Sequence, residues 1–317
     1  MISGTVHEIV SRSEFHLGAK WGFALAALTA LAGLLSLWVF HRPVPIAGLI
    51  VPIAFASAAR HWQGGLPGNV THGLLLLAFA GLAAGALGSW WRPLAWVGIV
   101  LAIPGASLLT SNTGLPDVSW VGPLVVVTTV VGGTLVADFD RRHAKRGWPV
   151  VMLAVSVVGV YFTVPDTERA LVLLGASVPL VLLGWPFAFA SIGTIGAYPA
   201  VGALAWTAAF EGRGRHTAIV AGVACLGLFV AEPIARLLNG GRSTVLELLP
   251  KRWWIAIPVV IGHLGLVYVA SRIAGLRTDV GQATVISLGE LAMGVAVLVA
   301  LQVDVLRAHP DARRADQ

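Results

Sequence analysis

The residues of this chain that could do chemistry are ionisable groups set inside or beside long apolar runs. Glu232 and Arg236 lie one helical turn apart in the run Thr217 to Leu238, with Pro233 between them. Opposite charges at that spacing share a helix face, and a proline there removes an amide donor and bends the helix. Together they suit a substrate or proton site in a kinked helix. The plainer reading is an ion pair near the cytoplasmic end, with Arg236 reaching toward headgroups. Glu290 sits well inside the run Val280 to Leu306, as a carboxylate that takes up and releases a proton or as one hydrogen-bonded to Ser287 or a neighbouring helix. His263 is mid-run in Trp253 to Ala270; a lone histidine at that depth is more often a packing residue than a ligand. Tyr198 belongs to a Gly- and Pro-interrupted stretch that would line a cavity. A proton relay through Glu290, His263 and Glu232 requires the last three apolar runs to pack together.

A second set of acids points to different chemistry. Asp138 and Asp140 form a D-x-D string, the pattern with which some sugar-transferring enzymes hold a metal-bound nucleotide sugar. Two acids at a helix end also recur by chance, and Arg141 and Arg142 stand ready to neutralise them against an unfavourable helix dipole. The plainer reading is a solvated cytoplasmic loop. Asp117, Asp166 and Glu168 fall in polar turns on the opposite side, with Arg60 and His61. They would serve an enzyme acting on a lipid-linked sugar, or ordinary turn chemistry. No phosphate-binding glycine loop, dinucleotide fingerprint, nucleophile elbow or zinc-protease motif occurs. No cofactor and no metal is expected. The single cysteine, Cys225, forms neither an internal disulfide nor a paired-thiol metal site.

The elements that carry these groups follow from composition. Of 317 residues 57% are hydrophobic and 11% charged, well under the ~25% charge of an average soluble domain. That excludes a soluble enzyme, a disordered chain and a disulfide-stapled secreted domain. The net charge of +6 sits in short loops, where it sets membrane topology rather than binding nucleic acid. Only three of the 21 basic residues are lysines, which with abundant Ala, Gly and Val suggests a GC-rich bacterial genome. The expected fold class is all-α: a polytopic membrane bundle of about ten or eleven spans of ~20 residues each, with short loops and no soluble domain. Residues 1–19 form an interfacial or loose segment, 20–306 the transmembrane domain, and 307–317 a polar tail. The first run, from Trp21, is too long for a cleaved signal peptide.

Within that domain the stretches 138–147 and 239–252 are polar connections. Gly81, Gly85 and Gly88 mark close helix approach. Residues 185–210, with Gly193, Gly196, Pro199 and Gly202, predict a broken helix, and Thr217 to Leu238 a continuous span. Arg141, Arg142, Lys145 and Arg146 place the 138–146 loop, and by alternation the C-terminus, in the cytoplasm; Arg213, Arg215, Arg272 and Arg277 fall on the wrong side.

The expected function is a secondary transporter or permease-like protein of the inner (plasma) membrane, moving a small or lipid-linked molecule, with proton coupling as one mechanism. Unwound Gly/Pro segments at membrane depth suit such sites. The alternatives are a membrane-embedded enzyme of envelope lipid or glycan assembly and a non-catalytic subunit. Transport predicts a polar cavity lined by Glu232, Glu290 or Tyr198; a packing subunit predicts a filled bundle. The expected partners are membrane lipids and, on the last reading, another membrane subunit.

Overall fold

The computed structural model describes residues 8–62, 65–91, 96–143, 147–164, 167–184, 188–212, 216–240 and 279–308, with isolated positions between 262 and 273. Among the described residues it is all-α, with twelve α-helices and no strand. They are α1 (Ser13–Phe40), α2 (Ile50–Ala58), α3 (Gly68–Trp90), α4 (Trp96–Leu108), α5 (Val121–Val127) and α6 (Gly133–His143), then α7 (Trp148–Thr163), α8 (Glu168–Gly184), α9 (Thr194–Glu211), α10 (His216–Ala224), α11 (Gly227–Leu238) and α12 (Val280–Ala308). Short 3₁₀ turns, Ala47–Leu49 and Ala59–His61, extend α2 at both ends, and a π-helical turn, Thr128–Gly132, joins α5 to α6. The apolar run Trp253 to Ala270, with His263, lies largely outside the described residues, as does Asp166.

Among the described residues, four helices are long and apolar enough to cross a membrane: Ser13–Phe40, Gly68–Trp90, Val121–His143 and Val280–Leu301. The packing of α1 is inverted relative to a water-soluble protein. α1 buries only Gly18, Gly22, Ala26, Thr29 and Gly33. It leaves Leu28, Leu31, Leu34 and Leu35 in the open, with Trp38 80% exposed. A helix apolar all round is at home in a protein core or in lipid, and these large side chains have no protein over them. In lipid no hydrophobic force drives helices together, so close backbone approach through small residues does. A Cβ on Gly22 would stand 2.8 Å from Ala176 Cα, and one on Gly175 would meet the Phe15 carbonyl. These contacts lock α1 to α8. The expected glycine stripe on α3 also makes close contacts: Cβ atoms on Gly81 and Gly85 would run into Thr194 at the start of α9.

The buried centre is α9, along which every residue from Gly196 to Phe210 is covered. The irregularity expected in 185–210 gathers before it. Residues 188–193 carry no helix, and the helix then runs straight through Pro199. The extended stretch lies alongside residues 44–48. Val44 and Ser191 donate backbone hydrogen bonds to Phe189 and Val44, at 3.3 and 2.9 Å. Ala47 and Gly48 donate to Ser191 and Ile192, at 2.9 and 3.1 Å. Pro43 and Pro45 on one strand disfavour helix there. Gly193 takes φ +72° on the other, where a Cβ would strike the Pro45 carbonyl. The helical stretch Ala47–His61 spans about 22 Å at ~1.5 Å per residue, short of the ~30 Å hydrocarbon layer. Non-helical backbone away from water survives only when its polar groups are paired inside the protein, which these backbone hydrogen bonds provide.

Two expectations about local structure need correction. The run Thr217 to Leu238 is broken at Cys225–Leu226, where the Ser156 hydroxyl donates to the Cys225 carbonyl at 2.8 Å and satisfies an acceptor the break releases. The stretch from Asp138 is not a solvated loop: α6 stays helical through His143, with Asp140 and His143 buried.

Candidate functional site

The charged end of α6 is built by helical spacing. Asp138 and Arg142 are one turn apart, and the guanidinium donates to the Asp138 carboxylate at 2.7 Å. Arg142 also reaches across to α11 and lies 2.8 Å from the Glu232 carboxylate, which is wholly buried. His143, also buried, has its Nε2 3.8 Å from Glu232, and neither ring nitrogen makes a hydrogen bond among the described residues. Phe139 packs against both the His143 and Phe229 rings, at 4.5 and 5.1 Å between centroids. Glu232 is thus a carboxylate in an apolar wall that Arg142 neutralises. Isolated in such surroundings its charge would cost several kcal/mol.

Asp140, two residues from Asp138, points elsewhere. Its two carboxylate oxygens accept the backbone N–H groups of Ile192 and Gly193, each at 2.9 Å. Those amides end the extended stretch and lead into α9, so Asp140 caps a helix entrance where a negative charge is favourable. The D-x-D pair is therefore divided between a guanidinium and a helix N-terminus. Among the described residues no group of three His, Cys, Asp or Glu side chains could hold a metal ion. The metal-site use of Asp138 and Asp140 loses its geometric basis.

A cleft of about 1130 Å³ opens beside these groups. Its polar wall carries Asp138, Asp140, Arg141, Arg142 and Tyr198, joined by Arg42 from the link after α1. The Tyr198 hydroxyl is 3.1 Å from Thr134 Oγ1. Its other wall is the flank of α3 and α4, including Leu82, Gly85, Gly88, Trp96 and Ile99. Tyr198 thus lines a cavity, and Glu232 stands behind its wall, reached through Arg142.

Among the described residues, Glu290, Arg236, Asp117 and Glu168 do not line the cleft. Glu290 is buried beside Gly227 at the start of α11, where its Oε1 would lie 3.7 Å from an added Cβ, and it does not line the cleft. Arg236 lies one turn beyond Glu232 and is half-buried. Asp117 and Glu168 are exposed in a connection and in the first turn of α8. His263 and Asp166 fall outside the described residues.

Sequence reasoning had treated Arg142 as a neighbour that neutralises the acids. Its place between two helices is new, and the signal available was its spacing of four from Asp138. A second ionic centre also went unanticipated. Arg169 of α8 donates to Glu211 of α9 at 2.8 Å. Its guanidinium carbon lies 4.2, 5.0 and 5.9 Å from the ring centres of Phe210, Trp62 and Trp206.

Fold and site together define an all-α bundle with helices long and apolar enough to cross a membrane and an arginine-bearing cleft. No known family model matches the chain, and no curated protein matches it.

Proposed function

We propose that the chain is a permease-like, multi-pass protein of a bacterial inner membrane that takes a substrate into the cleft between α3, α4, α6 and α9. The observation that carries this reading is the cleft itself. A packing subunit should have a filled bundle, whereas here a largely apolar cavity of about 1130 Å³ with arginines and aspartates in its lining lies against the Arg142–Glu232 ion pair. Membrane lipids are its partners. Arg42, Arg141 and Arg142 line the cleft, and basic residues favour the cytoplasmic side, so the cleft faces the cytoplasm in the resting state.

The moving part is the bridge from Asp138 through Arg142 to Glu232. It ties α6 to α11, and a substrate that competes for Arg142 loosens the tie. The π-helical turn Thr128–Gly132 lies on the same helical column as α6, and such turns recur at functional sites. Glu290 remains a further candidate proton carrier, acting on α11 from its other end.

Alternating access is tested with Thr134→Cys in sealed vesicles of both orientations, using a membrane-impermeant maleimide. Native Cys225 is buried and serves as the silent internal thiol. The reading expects Thr134→Cys to react from both faces, faster from the cytoplasmic one. Reaction from a single face under all conditions removes the transport reading.

A further inference from the structure

We infer that the cleft binds a phosphate-bearing amphiphile, a lipid whose anionic headgroup lies against Arg42 and Arg141 while its chain leaves along α3 and α4. The inference deepens the transport reading by naming a substrate class for the same cleft. Four observations point to it.

The first is charge. The lining carries three arginines against two carboxylates. Asp140 is already engaged by two backbone amides, and Asp138 is held by Arg142 at 2.7 Å. Arg141 approaches Asp138 only at 4.0 Å with its side chain 61% exposed, and the Arg42 side chain makes no ion pair among the described residues. Among the described residues, two guanidinium groups thus line the cleft with no close carboxylate partner. Arginine forks match phosphate oxygens two at a time.

The second is apolar surface. The lining also includes Leu82, Ile99 and Trp96, on helices whose flanks expose Leu75, Phe79 and Val100. A soluble anion has no use for such a wall, whereas an acyl or polyprenyl chain does. The third is depth. Trp90, Trp91 and Trp96 are exposed around this end of α3 and α4, and indoles concentrate at the level of lipid headgroups. The fourth is size. At about 1130 Å³ the cleft exceeds the ~300–1,000 Å³ of ordinary small-molecule pockets, leaving room for a headgroup and the start of its chain.

The test uses the full-length protein in neutral detergent and follows thermal unfolding against added dioleoyl phosphatidic acid, dioleoylglycerol or inorganic phosphate. Phosphatidic acid should stabilise the protein saturably, while dioleoylglycerol and inorganic phosphate at the same concentration should not. The double variant Arg42→Gln/Arg141→Gln should unfold at the unchanged temperature without lipid and lose at least tenfold in apparent affinity. Arg313→Gln/Arg314→Gln in the polar tail should bind as the native chain does, which separates the cleft from general attraction to anionic lipid. Equal affinity in the cleft variant, equal effect of dioleoylglycerol, or full effect of inorganic phosphate overturns the inference. Failure here with two-faced labelling of Thr134→Cys removes the substrate class alone. Lipid binding with one-faced labelling removes transport and leaves the binding site.

Discussion

Arg142 of α6 and Glu232 of α11 stand 2.8 Å apart across ninety positions of sequence, with the carboxylate entirely buried. This pair closes the bundle behind the cleft. Neither charge is tolerable there alone, since an ion taken out of water without a partner costs several kcal/mol. Removing one partner leaves the other uncompensated, at about 3–5 kcal/mol. Arg142→Gln and Glu232→Gln are each expected to lower stability by that amount, and the double variant to recover most of the loss. Thermal or denaturant unfolding in detergent measures the cycle. Additive losses in the double variant would show that the two side chains do not act as a pair.

Asp140 is expected to behave as a structural cap. Asp140→Ala leaves the Ile192 and Gly193 amides without an acceptor and should destabilise by about 1–3 kcal/mol for each group left unsatisfied. Asp140→Asn keeps one acceptor oxygen and should lose about half as much. Unfolding midpoints decide this; an Asp140→Ala protein as stable as the native one would contradict the assignment.

Gly22 tests whether small residues hold α1 to α8. A Cβ there would lie 2.8 Å from Ala176 Cα, so Gly22→Ala should overpack the contact and cost about 1–3 kcal/mol. Ala27→Leu, on the exposed flank of the same helix, should be neutral. If both substitutions behave alike, the glycine contact contributes nothing.

Arg169 is held by Glu211 and by three aromatic rings. Arg169→Gln should destabilise by about 3 kcal/mol, because Glu211 loses its partner. Arg169→Lys should restore only part, because an ammonium cannot stack its plane on Phe210 while bridging to the carboxylate. Full rescue by lysine, measured by unfolding, would mean that charge alone matters there.

Much of the architecture was legible in the sequence because lipid imposes simple rules. Spans of apolar residues with short polar breaks fix an all-α bundle, and the glycines and Pro186 ahead of Thr194 announce the interrupted helix before α9. The run Asp138 to His143 misled because its charge density suits a solvated loop. The burial of Asp140 and His143 depends on backbone amides from residues 192 and 193 and on α11, partners that local sequence does not reveal. Glu232 was legible as a buried acid from its apolar surroundings, but its contact with Arg142 comes from a distant helix, which local spacing does not reveal. The break at Cys225 was hidden for the same reason: the group that makes it tolerable is the Ser156 hydroxyl on α7.

Lipid around the outer helices would reach the exposed tryptophans directly. Trp38, Trp90, Trp91 and Trp96 are exposed on α1, on α4 and at the end of α3. In vesicles whose acyl chains carry bromine, tryptophan fluorescence should be quenched strongly, more so for bromine near the headgroup end than at the chain terminus. Unquenched fluorescence, with the protein folded and dispersed in detergent-free buffer, would contradict a lipid setting for these helices.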